Sequence, residues 1–148
     1  MGVMGSGGGV LLLLREGEVG VEDLEELWNQ KYMDYLGVRP SKPTEGILQD
    51  IHWSHGSLGY FPTYSLGSFY AAQFYAQAKK ELPDLESQLE LGEVSNFLAL
   101  LRKNIHQHGK LYTAEQLCER FTGESLNIKH FVAYAKEKYG AIYGFSPD

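Results

Sequence analysis

Apolar side chains recur along almost the whole chain at helical spacing, and no stretch alternates apolar and polar residues with the period of two that a half-buried strand requires. Leu66, Phe69, Tyr70, Phe74 and Ala78 mark one face of a helix expected from about Tyr64 to Leu82, with Pro83 just past its end. Upstream, Leu24, Leu27, Trp28, Tyr35 and Leu36 define a second helix over Glu22 to Leu36, whose acidic first turns suit the helix dipole and which stops at Gly37. Downstream come an acidic amphipathic segment from Asp84 to Leu91 and a segment from Val94 to His106 that buries Phe97, Leu98, Leu101 and Ile105. Thr113 to Phe121 opens on a capping box of Thr113 and Gln116, and Asn127 to Tyr143 carries Ile128, Phe131, Val132, Ala135 and Tyr139. The expected fold class is all-α, with about six helices and no internal repeat.

A chain of 148 residues with 43% hydrophobic content is long enough to bury a core of one ordinary domain. Its net charge of -6 repels phosphate backbones and anionic membrane surfaces, so neither nucleic acid nor membrane is expected as a partner. The single Cys118 leaves no internal disulfide and no CxxC pair, which suits a reducing compartment, and a cytoplasmic location is expected. Val10 to Leu14 is too short to span a bilayer and lacks the basic lead of a secretory signal.

The first nine residues are dominated by glycine, whose unfolded freedom is large, and order is not expected there. Val10 to Leu14 then reads as the last turn of an apolar helix with its earlier part cut away. Residues 1–14 are accordingly expected to form an unstructured lead and apolar edge, and residues 15–148 the helical body.

The segment Gly46-Ile47-Leu48-Gln49-Asp50-Ile51-His52-Trp53 crowds polar side chains among aromatic ones, and Gly59-Tyr60-Phe61-Pro62-Thr63-Tyr64 follows closely. A short helix capped by Thr44 and running to about Trp53 would place Gln49, His52 and Trp53 on one face at i, i+3 and i+4, with Asp50 pointing elsewhere. Gln49 and His52 would then reach one ligand together. A histidine beside an indole can donate to a carboxylate or to developing oxygen charge, and Asp50 can hold such a group in place from behind. Tyr60 and Tyr64 offer directional phenol donors at the mouth of a cleft, and serve equally well as half-buried turn residues. His52 and His55 have a spacing that two metal ligands on a helix use, but no further ligand cluster completes a site.

The pattern Gly46-x-x-Gln49-Asp50-x-His52-Trp53 resembles in full the GxxQDxHW motif of the carboxypeptidase Taq family of zinc metallocarboxypeptidases. Ser54 to Tyr64 is similar to its continuation, and the likeness extends from about Arg15 to Tyr139 by way of Ile105 to Thr113. The resemblance implies a helical, zincin-like fold, removal of single residues from peptide C-termini, and a zinc held by an HExxH helix plus a downstream glutamate. No HExxH occurs in the 148 residues. The expectation is therefore a partial enzyme: the C-terminal helical portion of a metallocarboxypeptidase, with zinc in the full-length protein and none bound by this chain alone. By resemblance His52, Tyr60 and Tyr64 are the candidate catalytic residues, and Gln49 and Asp50 the candidate substrate-binding ones. The expected partner is a peptide with a free C-terminus, together with self-association through an exposed apolar face. The alternative function is a non-catalytic helical module that binds a protein partner.

Overall fold

A computed structural model describes residues 2–145 of the chain, with side chains from residue 9 onward. Seven α-helices and no strand are found among the described residues. They are α1 (Gly2–Glu16), α2 (Leu24–Leu36), α3 (Thr63–Glu81), α4 (Leu85–Glu90), α5 (Ser95–Asn104), α6 (Ala114–Thr122) and α7 (Lys129–Tyr143). The all-α expectation agrees with this, and α2 to α7 fall within a few residues of the six helices read from the sequence. None of the described helices is long and apolar enough to cross a membrane. The chain divides into two compact units, Met1–Leu66 and Gly67–Asp148.

In the first unit α1 and α2 pack against each other. Val10 and Trp28 are fully buried, Leu11 and Leu24 nearly so, which removes from water the first half of the apolar stripe that periodicity assigned to α2, while Tyr35 and Leu36 at its end stay exposed. Over residues 1–14, expected as an unstructured lead and apolar edge, the structure carries the larger part of a helix from Gly2 to Glu16, and of these fourteen only Met1 lies outside the described residues. The apolar run from Val10 supplies the packing that glycine cannot, and at Gly9 an added Cβ would sit 3.4 Å from the Lys31 side chain of α2. Gly37 closes α2 in the left-handed conformation at φ 68° and donates its N–H to the Met33 carbonyl. Beyond it, Arg39 forks onto the Glu26 carboxylate at 3.1 and 2.5 Å, which lowers the glutamate and raises the arginine pKa. Both side chains are about half exposed or more, so the fork orients the loop more than it stabilises the fold.

The second unit is organised around Gln73 of α3, which is 1% exposed. Its amide nitrogen donates to the Thr122 hydroxyl at 3.0 Å and the Ser125 carbonyl at 3.1 Å, and its oxygen accepts the Asn127 N–H at 2.8 Å. One buried side chain thus satisfies the loop between α6 and α7, whose backbone groups would otherwise lack partners. Around it Phe74 meets Phe121 at 5.6 Å, Phe69 meets Phe131 at 5.1 Å and Tyr75 meets Phe97 at 6.2 Å between ring centroids. The capping box of α6 is present in both directions: Thr113 Oγ1 accepts from the Gln116 N–H and the Gln116 side chain accepts from the Thr113 N–H. Phe97, Leu98, Leu101 and Ile105 are half-buried instead of core, and an apolar cavity of about 780 Å³ lies between α3, α5 and α7.

Candidate functional site

The segment from Pro43 to His55 does not form one helix. It breaks into three short 3-10 turns, Pro43–Glu45, Ile47–Gln49 and Ile51–His55, with Asp50 extended between the second and third at φ -83° and ψ 92°. Two local features impose the break. Gly46 passes so close to its neighbours that an added Cβ would stand 3.2 Å from the Pro40 ring and 3.3 Å from the Asn29 carboxamide oxygen. Asp50, the preferred kind of residue for starting a helical turn, caps the third turn by accepting the His52 N–H at 3.0 Å.

This changes the predicted arrangement of side chains. Gln49 is exposed and turns back to donate to the Thr44 carbonyl, so it does not share a face with His52. Asp50 does not point elsewhere. It is 6% exposed, its Oδ1 lies 2.7 Å from His52 Nδ1, and its Oδ2 accepts the Trp53 indole N–H at 2.8 Å. One carboxylate therefore meets the His52 backbone N–H, the His52 ring and the Trp53 indole N–H, from residues two and three positions on. Trp53 is half-buried and ties the carboxylate from its other side.

The opposite edge of the His52 ring faces aromatic side chains. Its centroid stands 5.0 Å from Tyr60, 5.8 Å from Phe61, 5.8 Å from Tyr64 and 5.7 Å from His55. His52 Nε2 lies 3.4 Å from the Tyr64 hydroxyl, a long contact that leaves room to tighten. Tyr60 and Tyr64 meet edge to face at 5.5 Å and are about half exposed, whereas the His52 side chain is 14% exposed. The imidazole is thus recessed, and its two phenol neighbours reach the surface. Gly59 makes the turn that brings Tyr60 round, at φ 82° with Leu11 Cδ2 3.0 Å from where a Cβ would stand. Thr63 Oγ1 donates to the Tyr60 carbonyl at 2.7 Å where α3 begins, fixing the spacing between the two tyrosines.

His52, Tyr60 and Tyr64, separated by as many as twelve positions, are brought together; Asp50 joins them from behind and Gln49 does not. Gln49 lines instead an apolar groove of about 770 Å³ with Val21, Leu24, Ile47 and Trp53, to which Asp50 also contributes. Phe61 and His55 complete the ring around His52 and were not among the predicted site residues. The preference of aspartate for the start of a helical turn was the available signal for the grouping of Asp50 with His52. Among the described residues no group of three or more His, Cys, Asp and Glu side chains could hold a metal ion, and His52 Nδ1 is already engaged by Asp50. These side chains can hold and orient hydrogen bonds to an oxygen-rich ligand; they do not fit a metal centre.

The chain is 47% identical to thermostable carboxypeptidase 1 of Thermus thermophilus over 133 residues, which span 90% of this chain and 26% of that protein. It is 45% identical over 126 residues to carboxypeptidase 1 of Bacillus subtilis, spanning 85% of this chain and 25% of that one. The crystal structure of the M32 carboxypeptidase from Deinococcus radiodurans R1 matches with a TM-score of 0.89 at 34% identity, over 95% of this chain and 29% of that chain. The chain therefore spans about a quarter of the length of the curated relatives it matches. The sequence pattern that defines the carboxypeptidase Taq (M32) metallopeptidases matches residues 12–139. With that match falling on the helices and the His52 cluster alike, the chain belongs to the carboxypeptidase Taq (M32) family of metallopeptidases.

Proposed function

We propose that this chain supplies one wall of the substrate cleft of a zinc-dependent carboxypeptidase that removes residues from the free C-terminus of peptides. The observation that carries the reading is the convergence of His52, Tyr60 and Tyr64 around a recessed imidazole edge, backed by a carboxylate that is itself fully engaged. Such an edge is suited to oxygen: either the terminal carboxylate of the peptide or the oxygen of the carbonyl under attack. Aromatic side chains around it exclude water, and a hydrogen bond made in that surrounding is worth more than one made in solvent. Tyr60 and Tyr64, with their phenols nearer the surface, add directional donors to the same ligand. Gln49, held to the Thr44 carbonyl, acts in this reading by supporting the loop that carries His52. In this reading the zinc is held by another part of the longer family enzyme, and no group of three or more potential ligands is found among the described residues.

The test uses a full-length family protein that contains this segment. His52→Ala should lower kcat/KM on an N-blocked dipeptide by about 10²- to 10³-fold, the range found when one donor to a developing oxyanion is removed. A fall in kcat at constant KM assigns the donor to the reacting oxygen, and a rise in KM alone assigns it to the terminal carboxylate. Tyr60→Phe and Tyr64→Phe, measured alongside, identify which phenol acts with it. Unchanged kinetics in the His52 variant would refute the proposal.

A further inference from the structure

We propose that Asp50 is a positioning residue that locks the neutral His52 imidazole in its Nδ1–H form, so that Nε2 is the nitrogen presented to the Tyr60 and Tyr64 side. This rests on the reading of the cluster as a substrate wall only for its consequence in catalysis; the tautomer itself follows from the local geometry.

The argument begins with what a carboxylate can do. An ionised aspartate accepts and does not donate, so a nitrogen 2.7 Å from Asp50 Oδ1 must carry a proton toward it, and that nitrogen is His52 Nδ1. The same oxygen accepts the His52 backbone N–H at 3.0 Å, which fixes the carboxylate relative to the residue whose ring it holds. The second oxygen accepts the Trp53 indole N–H at 2.8 Å. Rotation of the carboxylate away from the ring would break the cap and the indole bond together. Asp50 is 6% exposed, so water competes poorly for these positions. Both of its oxygens are committed within the chain, and its part is to set His52, not to bind substrate itself.

With Nδ1 committed, the neutral ring has an acceptor at Nε2. Tyr64 can then donate its hydroxyl proton to Nε2 across the 3.4 Å contact, which orients the phenol without blocking the ring's edge. Only when the ring is charged does Nε2 become a donor aimed in the same direction, so the donation to a ligand oxygen proposed for His52 is made by the charged ring. The ring thus changes the sense of one hydrogen bond while its plane stays fixed. Neither state turns Nδ1 toward the ligand.

The tautomer can be read on the 148-residue chain by long-range ¹H–¹⁵N correlation of the imidazole at a pH where the ring is neutral. The wild type should show a pyrrole-type ¹⁵N frequency at Nδ1 and a pyridine-type frequency at Nε2 of His52. Asp50→Ser keeps a good capping residue for the turn but cannot reach the ring, and should move both frequencies toward the averaged values of a mixed population. Trp53→Phe removes only the indole donor and should leave the Nδ1–H form in place. A wild-type ring protonated at Nε2, or an Asp50→Ser variant with unshifted frequencies, would overturn the assignment. In a full-length family protein, Asp50→Ser should lower kcat more than it raises KM. If His52→Ala leaves that protein's kinetics unchanged while the ¹⁵N pattern is as expected, the functional reading fails and the positioning by Asp50 stands.

Discussion

At the scale of single residues, two buried polar side chains do most of the organising. Asp50 gathers the donors of His52 and Trp53 in the first unit, and Gln73 gathers the loop between α6 and α7 in the second. Both illustrate that a buried polar group is tolerated when its hydrogen bonds are complete, and costly when one partner is removed. Gln73→Leu should preserve side-chain volume yet leave the Asn127 N–H and the Thr122 and Ser125 oxygens without their partner, destabilising the protein by about 1–3 kcal/mol in urea unfolding. A change within experimental error would mean that water takes over those bonds. Gln73 was not singled out from the sequence, because a glutamine within an apolar stripe carries no local sign of a partner about fifty positions away. The chemistry around His52 was legible in residue type but not in geometry. The identities of Gln49, Asp50, His52, Tyr60 and Tyr64 marked the place, while the break at Asp50 depended on the close passage of Gly46 against Pro40 and Asn29, a contact across the loop that periodicity does not encode.

At the scale of elements, the helices were the legible part. Their apolar repeats, the glycine end of α2, and the capping box of α6 are all local signals, and the structure follows them closely. The 3-10 turns from Pro43 to His55 were not legible as such, since their hydrogen bonds are set residue by residue, and α1 depended on packing against α2. The entry to α7 carries a pH-dependent element. His130 Nε2 lies 2.6 Å from Glu124 Oε1, and this bond, with a smaller contribution from the Asn127 side chain, holds the Glu124 carboxyl below its ordinary value. A carboxyl whose pKa is lowered on folding adds stability that is present above its unfolded pKa and is lost as the pH falls through its folded one. The urea midpoint should therefore decline as the medium is acidified below the usual glutamate range, and His130→Ala should reduce that decline. Equal slopes in the two proteins would show that the pair does not contribute. The pair is partly exposed, so added salt should weaken the effect.

At the scale of the whole molecule, a chain that spans about a quarter of its relatives' length holds a recessed imidazole with two phenols at its edge, and no metal-binding cluster among its described residues. Sequence alone indicated the family, since a motif of spaced residue types can be read directly. It misplaced which side chains meet, setting Gln49 beside His52 and Asp50 elsewhere, because that depends on turns whose course is set by packing. The division of labour proposed above follows from these two facts together: the metal on one part of the longer protein, the oxygen-binding edge on this one. The most direct measurement is a crystal structure of a full-length family protein containing this segment, bound to a phosphinic dipeptide analogue that places a tetrahedral oxygen and a free carboxylate in the cleft. The account predicts His52 Nε2 within about 3.2 Å of one of those oxygens, with Asp50 still on Nδ1 and a tyrosine hydroxyl on the same ligand. A ligand seated with no oxygen in hydrogen-bond reach of His52, Tyr60 or Tyr64 would contradict it.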